Sequence, residues 1–269
     1  MRNAKACQYG DLLLLPCIDF VRLGGGLRLQ GRASSATMHR SMDNDKCKVV
    51  GSVSDWQGWC AASQPDILQV CDWVELRVDA LPTDVTPEQL LNGPRPACPV
   101  LLTVRHESEG GCRAMSQQER VALAHKLLPL ATALDWETAQ LAEAQELVAA
   151  AKAAGVTVIA SNHDFDKTPA LEILQQREVH ARSLGADVVK FAYRLHTAED
   201  MMVGVELLRR ATGPMAVMGM GALGAVSRLV YAQHGSCLVY GYLGTTPTAP
   251  GQWSAALCKQ ALANLTPLV

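Results

Sequence analysis

Short apolar runs recur along the chain from residue 49 onward, and their rhythm predicts a repeating unit of secondary structure. Eight runs predict strands, at residues 49–53, 73–78, 100–104, 133–137, 156–160, 188–192, 216–220 and 237–240. Between most of them, apolar residues recur three and four positions apart, as at 123–131 and 141–148, which indicates helices. Gly155 and Gly185 follow two of these helices, and Thr197 with Asp200 predicts the start of another. Strand and helix therefore alternate over most of the chain.

Eight strands that alternate with helices are typical of an α/β protein, a (β/α)8 TIM barrel, which we predict for residues 47–269. A doubly wound open sheet has similar content and is the alternative fold. Residues 1–46 mix glycine-rich and polar stretches with short apolar pieces, so we expect a flexible extension or a small hairpin there. A barrel also predicts where catalytic residues lie, namely at the carboxyl ends of several strands.

Polar and charged side chains do occur in or just after the predicted strands. In chain order they are Glu75, Arg77, Asp79, Arg105, Glu109, Asp135, Glu137, Ser161, His163 and Lys190. Single residues of this set have simpler interpretations. Glu75 and Arg77 could form a structural ion pair, and His163 could be a hydrogen-bonded interior histidine. The recurrence of such residues at strand after strand favours an active site.

Lys190 is the most informative of these residues, because it is the one cation within the apolar run at 186–192. A buried ammonium costs several kcal/mol unless it is paired, reaches water or loses its proton. A neutral lysine attacks carbonyl carbons and forms a Schiff base, and His163 on the neighbouring strand would supply the proton transfers. Arg105 and Arg228 offer guanidinium groups suited to a substrate carboxylate. The alternative is a strand-end lysine whose ammonium reaches solvent.

Composition excludes several other classes of function. The formal net charge of −2 gives no electrostatic signature for nucleic acid or for an anionic membrane. No apolar run reaches membrane-spanning length, and the first residues lack the pattern of a secretion signal. The nine cysteines form no CxxC pair, which favours free thiols and a cytoplasmic protein. His, Cys and carboxylate residues show no metal-ligand spacing, so we expect no metal.

Six motifs, taken together and in order, resemble those of the type I 3-dehydroquinate dehydratases. They are ELRVD at 75–79, TVR with EGG at 103–111, SNHDFDKTP at 161–169, GADVVK at 185–190, GAVSRL at 224–229 and APGQ at 249–252. The resemblance extends from residue 49 to residue 262 and leaves out the N-terminal segment. It implies a class I aldolase-like (β/α)8 barrel, commonly a homodimer, that needs no cofactor. It also implies that 3-dehydroquinate is dehydrated to 3-dehydroshikimate by syn elimination.

The resemblance also implies a role for each matching residue. Lys190 corresponds to the imine-forming lysine, His163 to the general acid–base, and Glu109 to the carboxylate that orients this histidine. The positions that correspond to substrate-binding residues are Glu75, Arg77, Arg105, Ser161, Arg228, Thr248 and Gln252. Thr248 stands where many members have serine, and it keeps the hydroxyl group.

Two other functions remain open from the residues alone. One is an aldolase that acts on a sugar phosphate, with the phosphate bound at residues 219–221. The other is a non-catalytic barrel that binds a shikimate-like acid as a sensor.

Overall fold

The computed structural model of the protein describes residues 47–244, 247, 249 and 251–265, so the predictions for residues 1–46 and for Thr248 lie outside the described residues. The described residues form one sheet of eight parallel strands. The strands are β1 (Lys48–Val53), β2 (Trp73–Arg77), β3 (Val100–Thr103), β4 (Ala133–Glu137), β5 (Thr157–Asp164), β6 (Val188–Arg194), β7 (Met215–Met220) and β8 (Leu238–Tyr242). All eight predicted strands are present, with small differences at their ends.

Helices lie between the strands, as the spacing of apolar residues predicts. The α-helices are Trp56–Ala61, Ile67–Val70, Pro87–Asn92, Gln117–Leu127, Thr138–Leu141, Gln145–Ala153, Leu171–Ser183, Ala198–Arg210, Gly224–Gln233 and Ala255–Ala263, with 3-10 turns at Val78–Ala80, Glu107–Glu109, Leu128–Leu130 and Ala142–Ala144. Gly155 and Gly185 adopt positive φ, at 70° and 96°, just after two helices end. Thr197 and Asp200 form the expected capping box. None of the helices in the described ranges is long and apolar enough to span a membrane.

The order of the strands identifies the fold as a nearly closed (β/α)8 barrel. Neighbouring strands follow the order β7-β6-β5-β4-β3-β2-β1-β8, so β1 pairs with both β2 and β8. Where β8 approaches β7, the Cys237 amide donates to the Met215 carbonyl at 2.8 Å, and the Val217 amide donates to the Ser236 hydroxyl at 3.0 Å. These bonds connect β7 and β8, the two ends of the strand order, where the barrel closes. The barrel prediction is therefore confirmed, and the doubly wound alternative is wrong.

Alternation along each strand divides the buried residues into two cores. One core lies inside the barrel and contains Val50, Trp73, Leu101, Ala133, Ile159, Val188, Ala216 and Leu238. The other lies between the strands and the helices, where residues of opposite parity such as Leu76, Trp136 and Phe191 pack. Along each strand, the side chain two positions after the residue in this inner core also points into the barrel. Polar residues occupy many of these positions, among them Glu75, Asp135 and Lys190.

The fifth strand is longer than the apolar run that predicts it. The apolar run ends at residue 160, whereas β5 continues to Asp164 because β6 pairs with it over the added residues. His163 lies opposite Ala192 in this pairing. The histidine is therefore held by a strand and not by the loop that follows.

Candidate active site

One pocket at the carboxyl ends of the strands brings most of the predicted site residues together. Of those residues, Glu75, Arg77, Arg105, Glu109, His163, Lys190, Arg228 and Gln252 line it. Ser161 is fully buried beside the pocket, where its hydroxyl contacts Arg105 and not the His163 ring. Thr248 lies outside the described residues. Phe165, Met218, Met220 and Tyr240 also line the pocket, although the sequence did not single them out as site residues.

Lys190 is paired inside the barrel and does not reach solvent. Its side chain is 4% exposed, and its Nζ donates to Asp135 Oδ2 at 2.8 Å. The Nζ also lies 4.3 Å from the centroid of the Tyr240 ring, a cation–π contact. The snorkelling alternative is therefore wrong. The carboxylate supplies the partner that burial of an ammonium requires.

Asp135 links Lys190 to the other charges of the barrel interior. Its Oδ1 accepts hydrogen bonds from Arg105 Nη2 at 2.9 Å and from the Ser161 hydroxyl at 2.6 Å. Burial raises the pKa of Asp135, but the charges of Arg105 and Lys190 outweigh burial and hold that pKa well below its usual range. Asp135 is therefore ionised.

A second buried carboxylate, Glu137, fixes Arg105 from the other side. Arg105 Nη1 donates to Glu137 Oε1 at 2.9 Å, and the His106 amide donates to the same oxygen at 2.8 Å. Glu137 also pairs with Arg120, whose guanidinium stacks 4.3 Å from the Trp136 ring centroid. Two arginines and two carboxylates thus satisfy one another without solvent.

His163 and Glu109 form the pair that the family resemblance predicts. His163 Nδ1 lies 2.8 Å from Glu109 Oε2, and the His163 backbone amide donates to the same oxygen at 2.8 Å. Burial lowers the pKa of His163 well below 6.5, and the charges of Arg105 and Lys190 lower it further. A neutral ring that donates from Nδ1 to a carboxylate carries its lone pair on Nε2. The lone pair of a neutral His163 is therefore on Nε2 and not on the nitrogen that faces Glu109.

Asp79 holds the loop that carries Glu109. Arg77 donates to its two oxygens at 2.9 and 2.7 Å, and the backbone amides of Arg105 and Cys112 donate to them at 3.1 and 3.0 Å. Because Arg77 pairs with Asp79, the suggested ion pair between Arg77 and Glu75 does not form. Glu75 instead accepts from the hydroxyls of Ser52 and Thr103, at 2.6 and 2.9 Å.

Arg228 is a buried cation without a carboxylate partner among the residues that the structure describes. Its Nε donates to the Tyr240 carbonyl at 3.1 Å, and its Nη1 donates to the Gly219 carbonyl at 3.2 Å. Burial lowers the pKa of Arg228 to about 10. These carbonyls orient the guanidinium but leave its charge uncompensated, so the pocket wall there suits an anion.

The sequence assigned no role in the site to Asp135, which it placed only among the polar residues of the strands, and it did not single out Tyr240. The position of Asp135 could have been predicted to face inward, because it lies two positions after Ala133 in a buried strand and so points to the same face as that residue. Tyr240 had a weaker signal, because an aromatic residue in an apolar strand is most often part of the core. The contact of Asp135 with Lys190 depends on the pairing of β4 and β6 with β5, and that of Tyr240 depends on the closure of the barrel.

Comparison with known proteins places these residues in a family context. The sequence model of the family described as type I 3-dehydroquinase matches residues 60–268. The 3-dehydroquinate dehydratase of Lactiplantibacillus plantarum is 36% identical over 220 residues, which are 77% of this chain and 84% of that protein. The solved 3-dehydroquinate dehydratase of Enterococcus faecalis has a TM-score of 0.66 and 29% identity, covering 81% of this chain and 92% of that one.

A second solved structure of a similar protein includes a covalently modified compound. The type I 3-dehydroquinate dehydratase of Clostridium difficile has a TM-score of 0.66 and 26% identity, with 81% of this chain and 91% of that chain covered. It was determined with covalently modified comenic acid. The fold and the sequence thus point to the same set of relatives.

Proposed function

The chain belongs to the type I 3-dehydroquinase family and dehydrates 3-dehydroquinate, and we propose that it does so through an imine on Lys190 with His163 as the general acid–base. The sugar-phosphate aldolase and the non-catalytic sensor are therefore wrong. The observation that carries the proposal is the placement of Lys190 and a neutral His163 in one pocket at the carboxyl ends of the strands. An amine and a base in one water-poor site are what imine chemistry requires.

The first stage forms the covalent intermediate. The Lys190 amine, after it loses a proton, attacks the C3 ketone of 3-dehydroquinate to form a carbinolamine. His163 Nε2 takes and returns protons as the ketone oxygen leaves as water. Arg228 binds the substrate carboxylate through its uncompensated charge. The other polar positions that hold the hydroxyls and the carboxylate are Glu75, Arg77, Arg105, Thr248 and Gln252, whereas Ser161, buried beside the pocket, accepts a hydrogen bond from Arg105 and acts through it.

The second stage eliminates water from the substrate ring. The iminium withdraws electrons and acidifies the adjacent C2–H, whose proton passes to His163 Nε2. The resulting enamine expels the C1 hydroxyl, and His163 returns the proton to this leaving group. Because one base serves both positions from one face of the ring, the elimination is syn. Hydrolysis of the product imine then releases 3-dehydroshikimate and regenerates Lys190.

Borohydride reduction tests the imine directly. Reduction in the presence of 3-dehydroquinate should add the mass of the reduced intermediate to the peptide that contains Lys190, and not to any other lysine peptide. Lys190→Ala should lose both the adduct and turnover, measured as the near-ultraviolet absorbance of the conjugated product. Lys152→Ala, at a largely exposed lysine paired with Asp187, is the matched control and should retain both. An unmodified Lys190 peptide in an active enzyme would refute the imine.

His163→Ala separates the two roles in the proposal. General acid–base catalysis contributes about 10²–10⁴-fold, so turnover should fall by this amount. The lysine is still present, so borohydride should still trap some substrate on Lys190. Wild-type turnover in this variant would exclude His163 as the acid–base.

We also propose a homodimer in the cytoplasm. The dimer rests on the family resemblance, and the location rests on the free thiols, since Cys71, Cys98 and Cys258 are buried without forming disulfides. Light scattering coupled to size-exclusion chromatography gives the mass in solution. A mass of a single 28.9 kDa chain at working concentration would exclude the dimer.

A further inference from the structure

The hydrogen bond between Asp135 and Lys190 has no role in the mechanism described above. Within the described part of the chain, Asp135 Oδ2 accepts a single hydrogen bond, from Lys190 Nζ at 2.8 Å, whereas Asp135 Oδ1 accepts from Arg105 and Ser161. The two oxygens therefore have separate functions. Oδ1 is fixed by the buried network, and Oδ2 is presented to the nitrogen on which the imine forms.

The Asp135 carboxylate does not act as the acceptor of the Lys190 proton. Although burial raises the pKa of Asp135, the charges of Arg105 and Lys190 hold that pKa low, so the carboxylate keeps its negative charge. The neutral base in the pocket is His163, whose Nε2 has no hydrogen-bond partner among the residues described. The proton that Lys190 loses before attack therefore goes to His163.

Counting protons shows what remains for Asp135 to do. The Lys190 ammonium carries three protons, and two of them leave with the ketone oxygen as water when the iminium forms. One passes through His163 and the other moves from the nitrogen to the carbinolamine oxygen. The third stays on the iminium nitrogen, which is still positively charged. The nitrogen thus keeps one N–H donor and one positive charge, the two properties that the free ammonium directs at Oδ2.

We infer that Asp135 positions the Lys190 nitrogen and compensates its charge from the free ammonium through both iminium intermediates, an inference that rests on the proposed imine mechanism. The Tyr240 ring, 4.3 Å from Nζ, stabilises the same charge from a second direction. Arg105 and Ser161 act indirectly, because they orient the carboxylate. Asp135 is thus a positioning residue whose loss should slow imine formation and leave noncovalent binding intact.

The test compares Asp135→Asn with a matched variant, Glu137→Gln. Glu137 is buried on the same strand and pairs with the same Arg105, but it has no contact with Lys190. The first readout is the rate at which borohydride traps 3-dehydroquinate on Lys190. The second is the calorimetric Kd for quinate, which has a hydroxyl in place of the C3 ketone and cannot form an imine.

Asp135→Asn should be trapped about 100-fold more slowly than wild type, the size of effect seen when one preorganised electrostatic partner is removed. Its Kd for quinate should stay within about threefold, less than 1 kcal/mol. Glu137→Gln should be trapped at least about tenfold faster than Asp135→Asn. Trapping of Asp135→Asn at the wild-type rate, equal slowing of both variants, or a parallel rise in Kd would overturn the inference.

If Asp135→Asn fails to fold, a second variant still tests the role of Asp135. If circular dichroism shows that Asp135→Asn is unfolded, Asp135→Glu replaces it, since it keeps the charge but moves the carboxylate by one methylene. Slowed trapping with unchanged quinate affinity is then expected, and a wild-type rate overturns the inference. Failure of the imine mechanism itself is distinguishable, because wild-type enzyme would then give no Lys190 adduct at all.

Discussion

Replacement of Glu109 by glutamine should make the protein more stable and less active. Both hydrogen bonds from His163, from Nδ1 and from the backbone amide, go to a single oxygen of Glu109, Oε2. The amide oxygen of glutamine can occupy that position and accept both bonds. Glu109→Gln therefore removes the negative charge while it keeps the hydrogen bonds, so its effects report on the charge.

The size and sign of the stability effect follow from the titration of Glu109. Burial raises its pKa from 4.5 to about 7, and its side chain is only 13% exposed. A carboxyl with a raised pKa binds more protons folded than unfolded between these values, so stability is lost as the pH rises through this window. Each tenfold change in proton affinity is worth about 1.4 kcal/mol, so ionised Glu109 costs on the order of 3 kcal/mol above pH 7. Glutamine does not titrate and avoids this cost.

The assay is urea unfolding of wild type and Glu109→Gln near pH 5 and near pH 8. The variant should be more stable by about 3 kcal/mol at the higher pH and by much less at the lower one. Glu107→Gln is the control, because Glu107 lies in the same 3-10 turn but is exposed. It should change neither value. A variant that is less stable than wild type near pH 8, or that keeps the wild-type pH slope, would refute the reasoning.

The same variant should lose activity because the charge stabilises the protonated state of His163 during proton transfer. A hydrogen bond to a charged group is worth about 1 kcal/mol more than a neutral one, so kcat should fall by about fivefold. Wild-type kcat should also decline as the pH falls below 7, because Glu109 then becomes protonated. A protonated Glu109 no longer favours the His163 tautomer that carries its proton on Nδ1 and leaves Nε2 free to accept one. Glu109→Gln should lack this decline near pH 7, and an unchanged acidic limb in its pH–rate profile would contradict the assignment.

Three further substitutions test other parts of the site. Arg228→Lys should raise KM by about tenfold or more with little change in kcat, because the three donors of an ammonium cannot serve the carbonyls of Tyr240, Gly219 and Gly224 and a carboxylate as well. Arg209→Lys at an exposed position should be neutral. Arg120→Met should destabilise the fold by about 3–5 kcal/mol in urea unfolding, because it leaves Glu137 with one guanidinium fewer. Gly219→Ala should raise KM, since a Cβ there would lie 2.7 Å from Ser227 Oγ and displace the helix that carries Arg228.

The sequence predicted the barrel well because each strand is signalled locally. An apolar run of four to six residues marks a buried strand whatever its neighbours are, and glycine after a helix marks its end by backbone geometry alone. Lys190 and His163 could be identified for the same reason, since each is a polar residue in or next to an apolar strand. The extension of β5 beyond its apolar run could not be predicted in this way, because residues 162–164 are strand only through their pairing with β6.

The partners of the charged residues were harder to predict than their positions. A structural ion pair between Arg77 and Glu75 was one alternative from the sequence, but the turn at Val78–Ala80 brings Asp79 back onto the guanidinium of Arg77. Asp135 is 55 residues from Lys190 along the chain, and their side chains meet because β4 and β6 both pair with β5. The pattern of one strand specifies which side chains point inward. It does not specify which of the other strands supplies the neighbour.

Arg228 lies where the barrel closes, between β7 and β8, and contacts both strands. The sheet begins at β7 and ends at β8, and the guanidinium bonds the Gly219 carbonyl at one edge and the Tyr240 carbonyl at the other. The cation proposed to hold the substrate therefore also fastens the two ends of the sheet together. Selection for a closed barrel and selection for turnover would each retain this arginine on its own. The set of substitutions tolerated at position 228 could therefore not distinguish selection for barrel closure from selection for turnover.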